Sequence, residues 1–148
     1  MSNGTSTTNY TNFDAVGNVL ASNQIIAGET YTFGYTYNLA DSLTSETYPS
    51  GRAIATDYDS LNRLDGVSGT KGGQTAPYSD TFLFAPHGGP TQYRYRNNVY
   101  RTISYNSRLQ MSGYTDLLNN DSGSQLLKVT LDWGAANNNG NLRTATYQ

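Results

Sequence analysis

At 148 residues, with a formal net charge of −2 and a single histidine, the chain has the length of one domain but no electrostatic footprint for nucleic acid or an anionic membrane. Zero cysteines exclude disulfides, thiolate catalysis and Cys-based zinc sites, and one histidine excludes a multi-histidine metal centre or a second catalytic imidazole. Thirteen tyrosines supply most of the 12% aromatic content, only 36% of residues are hydrophobic, and Asn, Thr, Ser and Gly abound, a mixture that favours strands and tight turns over long helices.

The opening "MSNGTSTTNYTNF" has neither the basic nor the apolar region of a secretory signal, and no apolar run approaches the roughly 18 residues of a membrane span. Residues 1–8 read as a flexible N-terminal segment and residues 9–148 as one repeat domain. The first recognisable unit is "FDAVGNVL", in which Phe13 and Asp14 precede a short turn through Gly17. Next, "ETYTFGYTY" alternates strictly, so Tyr31, Phe33, Tyr35 and Tyr37 share one face of a strand. Tyr37 and Asn38 open a second turn, "YNLADSL". In "TYPSGRAIATDYDSLNRL", Tyr48, Pro49, Gly51 and Arg52 form a turn, and Tyr58 and Asp59 begin the next unit, which closes on Arg63 and Leu64.

Farther along, "KGGQ" reads as a turn, and "FAPHGG" resembles "TYPSGR", which puts His87 at the place of Ser50. The stretch "QYRYRNNVYRTISYNSR" is the one concentration of basic residues, and it ends in the unit Tyr105, Asn106, Arg108 and Leu109. The last unit is "DWGAANNNGNL", with Asp132, Trp133, Gly140 and Leu142. Phe13, Tyr37, Tyr58 and Tyr105 step by 24, 21 and 47 residues, a period in the low twenties with one degenerate unit inside the longest step. Each unit reads as strand, turn and returning strand, with an apolar residue (Leu20, Leu43, Leu64, Leu109, Leu142) after the turn. A lone hairpin is marginal in water, so the units must stack. The expected fold is all-β: stacked antiparallel hairpins in a curved repeat sheet, an open strip or arc with tyrosine ladders along one face.

Candidate chemistry competes poorly with this structural reading. His87 sits among turn formers. Asp57 and Asp59 could form a carboxylate pair, but Asn38 and Asn106 occupy the place of Asp59 in other units, which points to hydrogen bonding by the side-chain oxygen rather than to titration. "LLNNDSGS" and "ANNNGN" lack the alternating acids of a calcium loop and read as hairpin loops. In the basic stretch, alternation puts Tyr93 and Tyr95 on one face and Arg94 and Arg96 on the other, where they meet solvent or acids of a neighbouring strand. No catalytic residue, cofactor or metal is expected, nor nucleic acid binding or membrane insertion.

Several aromatic–Asp/Asn units in series, above all "YDSLNRLDGVSG" and the Tyr-Pro-x-Gly-Arg turn, resemble the RHS or YD-repeat family, which includes bacterial rearrangement-hotspot proteins, the B and C components of insecticidal toxin complexes and the YD shell of teneurins. The likeness runs over roughly residues 9–145. It implies a hairpin sheet that spirals into a hollow shell, outside the cell or on its surface. The chain departs from that pattern in having only about six units and no Asp-Pro-x-Gly signature. The expected role is therefore a non-enzymatic repeat module that meets other repeats, or copies of itself, through strand edges. The alternative is a module that binds a glycan or surface receptor through exposed tyrosines and Asn-rich loops.

Overall fold

The computed structural model describes residues 6–134 and 138–148. Their strands are β1 (Ser6–Phe13), β2 (Val19–Ile26), β3 (Glu29–Tyr37), β4 (Leu43–Thr47), β5 (Ala53–Tyr58), β6 (Leu64–Lys71), β7 (Gln74–Phe84), β8 (Pro90–Tyr95), β9 (Val99–Tyr105), β10 (Met111–Leu118), β11 (Ser124–Asp132) and β12 (Thr144–Tyr147). They form one open antiparallel sheet in chain order, with no helix among the described residues. The all-β stack of hairpins expected from the alternating sequence is what the chain adopts. β1 begins at Ser6, so Ser6, Thr7 and Thr8 belong to the sheet, and all eight residues of that strand are exposed.

The chain divides into two compact units, one ending at Tyr78 and the other running from Ser79 to Gln148. In the first, the register pairs Tyr35 with Glu46, Glu46 with Ile54 and Ile54 with Gly69. Since side chains alternate along a strand, Tyr31, Phe33 and Tyr35 share that face with Glu46, Ile54 and Gly69. In the second, Tyr93 pairs with Arg101 and Arg101 with Asp116, while Asp80 pairs with Arg94 and Arg94 with Tyr100. Tyr93 and Arg94 are adjacent, so these two rows lie on opposite faces.

Little is fully buried. Val129 is the one buried hydrophobic residue among those described, and Ser22 and Asp116 are the buried polar ones. With so thin a core, backbone ladders and cross-strand side-chain pairs carry a larger share of the stability than in a two-layer domain.

Candidate functional site

The repeated chemistry gathers at the turns. Five-residue turns at 14–18, 38–42, 48–52, 59–63, 85–89 and 106–110 share one hydrogen-bond pattern. The first residue's N–H donates to the carbonyl of the fifth, and its own carbonyl accepts from the N–H of the fourth, as in Asp59 N to Arg63 O (2.8 Å) and Asn62 N to Asp59 O (2.9 Å). The fourth residue is left-handed in every case: Gly17, Asp41, Gly51, Asn62, Gly88 and Leu109. This is a type I turn followed by a left-handed residue, a common hairpin connection.

At four of these turns the first residue is Asp or Asn, and its Oδ1 accepts from the backbone N–H groups two and four residues on. Asp14 bonds Val16 and Asn18, Asn38 bonds Ala40 and Ser42, Asp59 bonds Leu61 and Arg63, and Asn106 bonds Arg108 and Gln110. One carbonyl-type oxygen suffices, so Asp and Asn serve alike. Where the residue is Asp, the turn tunes its charge. The backbone N–H of Arg63, then its guanidinium, hold Asp59 below the usual carboxylate range. Burial pushes Asp14 upward, but hydrogen bonds from the Asn18 side chain and from backbone N–H groups outweigh it and leave that carboxyl lowered.

Strands alternate in direction, so within the first unit the turns 14–18, 38–42 and 59–63 share one end of the sheet. They are laced together there: Asn18 donates to Asp41 (2.9 Å), Asn38 to Asn62 (2.8 Å) and Asn62 to the Ser42 hydroxyl (2.7 Å). In the second unit Asn138 bridges the last loop to Gln110 (3.2 Å from Gln110 Nε2) and accepts from Arg108 through its carbonyl (2.6 Å).

The aromatic before the turn has its own task. Tyr58 donates its hydroxyl to the Leu43 carbonyl, and Tyr105 to that of Pro90, each 2.9 Å, while the Trp133 indole donates to Met111 at 2.7 Å. Leu43, Pro90 and Met111 each begin the even-numbered strand of the preceding hairpin. The tyrosine of one unit thus ties itself to the unit before it.

These patterns relocate several sequence-based equivalences. Leu64 opens β6 opposite Tyr58, and the residues in its place are Val19, Leu43, Pro90 and Met111. Leu20 lies one residue later, and Leu109 sits inside its turn at φ 62°. The hydrogen bonds, not the leucines, set the alignment. Arg63 and Arg108 likewise differ: Arg63 ends its turn and pairs with Asp59 (2.7 Å), whereas Arg108 is mid-turn. The degenerate unit is the turn 85–89, where Ala85 replaces the Asp or Asn; its spacing from Asp59 and Asn106 was the available signal. His87 lies there in edge contact with Tyr105 (4.6 Å between centroids). The turn 48–52 has the same geometry but occupies the opposite end of its own unit from the Asp/Asn turns.

In the last loop Asp132 accepts from Gly134 (2.9 Å) and Gly140 (φ 89°) donates to Asn138 (3.0 Å), while Leu142 is exposed. Ala136 and Asn137 of "ANNNGN" lie outside the described residues. In the other loop, Asn120 Oδ1 accepts from Ser122 N–H (2.8 Å) and its carbonyl from Gly123 N–H (3.2 Å).

The basic stretch resolves into paired groups. Arg94 makes a two-pronged bond to Asp80 (2.7 and 2.6 Å), as Arg101 does to Asp116 (2.8 and 2.7 Å). Arg101 also stacks 4.0 Å from the Tyr114 ring centroid and 5.7 Å from that of Tyr95. Tyr93 and Tyr95 bond through their hydroxyls (3.1 Å), and burial followed by that bond pushes Tyr95 up to about 12. Of the tyrosines proposed as a contact surface, Tyr31 is exposed, whereas Tyr35, Tyr93 and Tyr95 are half-buried.

No protein-family model and no curated protein matches the chain. Solved structures do. The fold is similar to part of the TcdB2-TccC3 complex, with a TM-score of 0.83 and 17% identity over 95% of this chain and 8% of that one. It is also similar to TcdB2-TccC3 without its hypervariable C-terminal region (TM-score 0.84, 16% identity, 95% of this chain and 7% of that one). A Photorhabdus luminescens Tc holotoxin pore gives the same TM-score of 0.84 at 16% identity, again over 95% of this chain and 7% of the other. At such identities the likeness is one of fold, and this chain spans only a small fraction of those it matches.

Proposed function

We propose that the chain is a non-enzymatic wall segment of an RHS- or YD-repeat protein, acting outside the cell or on its surface through its strand edges. The observation that carries this reading is the recurring Asp/Asn turn, preceded at Tyr58 and Tyr105 by an aromatic that ties its hairpin to the one before it. The fold's likeness to toxin-complex chains many times longer supports it. So does the use of the carboxylates: Asp14 and Asp59 are hydrogen-bond acceptors within turns, a task that needs no chemistry.

The two outer strands fit the same role. β1 (STTNYTNF) and β12 (TATY) contain neither charge nor proline, the usual guards against edge pairing. β1 runs toward the Asp/Asn-turn end of its unit, and β12 runs away from that end of its own. A strand added after β12 would therefore run in the sense of β1, so the meander can continue without a break.

Light scattering and negative-stain microscopy over a concentration range on the order of a hundredfold test this, because edge pairing between copies follows mass action. The expected result is mass that grows with concentration, and growth that stops when Thr8→Lys and Asn12→Lys place charges on β1. A chain that stays monomeric throughout overturns the edge-pairing role.

A further inference from the structure

The first unit carries an aromatic groove beside the turn 48–52, which supplies Tyr48, Pro49, Ser50 and Arg52 to its walls. Two adjoining cavities of about 530 and 600 Å³ share Tyr48 and Ser50. Arg52, Ile54 and Tyr78 complete one, and Thr30, Tyr31 and Pro49 the other. The walls are held in place. Gly69 has no side chain, and a Cβ there would strike the Tyr78 ring, so the glycine is what lets that ring lie across β6. The Tyr78 hydroxyl bonds the Arg52 guanidinium, whose carbon lies 5.3 Å from the ring centroid. Tyr48 packs edge-on to Phe33 (5.8 Å, 69°) and donates its hydroxyl to Glu46 (2.8 Å). Tyr31 is 42% exposed.

We propose that this groove binds a neutral oligosaccharide. Pyranose rings present C–H faces that suit tyrosine rings, and outward hydroxyls that suit the Ser50 and Thr30 side chains and the free edges of Arg52. Among the described residues, Arg52 is the one charged residue that lines the groove; the Tyr78 hydroxyl and ring engage it, and the Glu46 carboxylate bonded to Tyr48 offsets its charge from beside the groove, which leaves little to select an ionic ligand. Its aliphatic lining is only Ile54 and Pro49, which gives little purchase to an apolar peptide. Two cavities in series accommodate several linked sugars, and the pre-set rings reduce the ordering cost of binding. The site lies on the sheet face, away from β1, and stands independently of edge assembly.

Saturation-transfer NMR and calorimetry on the full chain would use cellohexaose, chitohexaose, maltohexaose and mannohexaose as neutral probes and a heparin hexasaccharide as the charged one. At least one neutral hexasaccharide is expected to bind. Tyr31→Ala and Arg52→Gln should each weaken it about tenfold. Tyr10→Ala, which removes an exposed tyrosine of β1, should leave binding unchanged, and circular dichroism of each variant separates lost binding from lost fold. The proposal is overturned if no neutral probe binds at millimolar concentration. It is equally overturned if only the heparin fragment binds, or if both groove variants bind like the parent.

Discussion

At the scale of the residue, the turns assign one task to Asp and Asn: accept two backbone N–H groups through Oδ1. Only the Asp versions add a pH dependence. Asp14 and Asp59 are held below the ordinary value near ~3.9, so they contribute stability that is complete above that pH and is lost as pH falls through their lower folded values. The double variant Asp14→Asn, Asp59→Asn should therefore melt below the parent at pH 7, having lost that charge-dependent share, and converge on it below about pH 4 with a shallower acid limb, followed by circular dichroism. An unchanged acid limb would place that dependence elsewhere, for instance on Asp80, which Arg94 also holds low. The fourth turn position makes a separate demand. Leu109 is left-handed at φ 62° and 58% exposed, so it strains the backbone without a packing return. Leu109→Gly should stabilise the chain by about 0.5–1 kcal/mol, the relieved strain less the extra entropy of glycine, read as a rise in the urea midpoint.

At the scale of the element, hairpins are joined by ties whose strength can be compared. Tyr58→Phe and Tyr105→Phe each delete one hydroxyl bond to a neighbouring strand and should cost about 1 kcal/mol. The two Arg–Asp pairs share a geometry but differ in exposure: the side chains of Arg101 and Asp116 are 23% and 12% exposed, those of Arg94 and Asp80 36% and 32%. Arg101→Met strands a carboxylate among tyrosines and should cost about 3 kcal/mol. Arg94→Met leaves a carboxylate that water can reach and should cost distinctly less. Equal losses in urea titrations of the two variants would refute the exposure argument.

The same elements show how far the sequence could be read. Asn38 and Asn106 standing where Asp14 and Asp59 stand made the turn chemistry legible, because the substitution removes charge and keeps an acceptor. The alternation of Tyr93 and Arg94 made opposite faces legible. The turn 85–89 was harder to place because Ala85 has no acceptor, and Leu109 misled because a leucine in a left-handed turn position is sterically unfavourable. The partners of Tyr58 and Arg101 depend on register between strands, which a period cannot supply without the pairing.

At the scale of the whole molecule, the decisive quantity is exposed surface. The chain exposes 9648 Å² at 16.1 kDa. A compact monomer of that mass exposes about 7,400 Å². The excess has a calorimetric consequence, since the heat-capacity change of unfolding tracks the apolar surface removed from water. A compact chain of this length would show about 1.8–2.2 kcal/mol/K. Scanning calorimetry of the dilute chain should give a clearly smaller value, and a urea slope that is low for its length. Under conditions where copies pair through β1 and β12, melting temperature should rise with protein concentration, because the partner binds the folded edge and not the unfolded chain. A full-sized heat-capacity change in dilute solution, with no dependence of melting on concentration, would instead mean that the chain already covers its own surface in solution and has no need of neighbouring repeats.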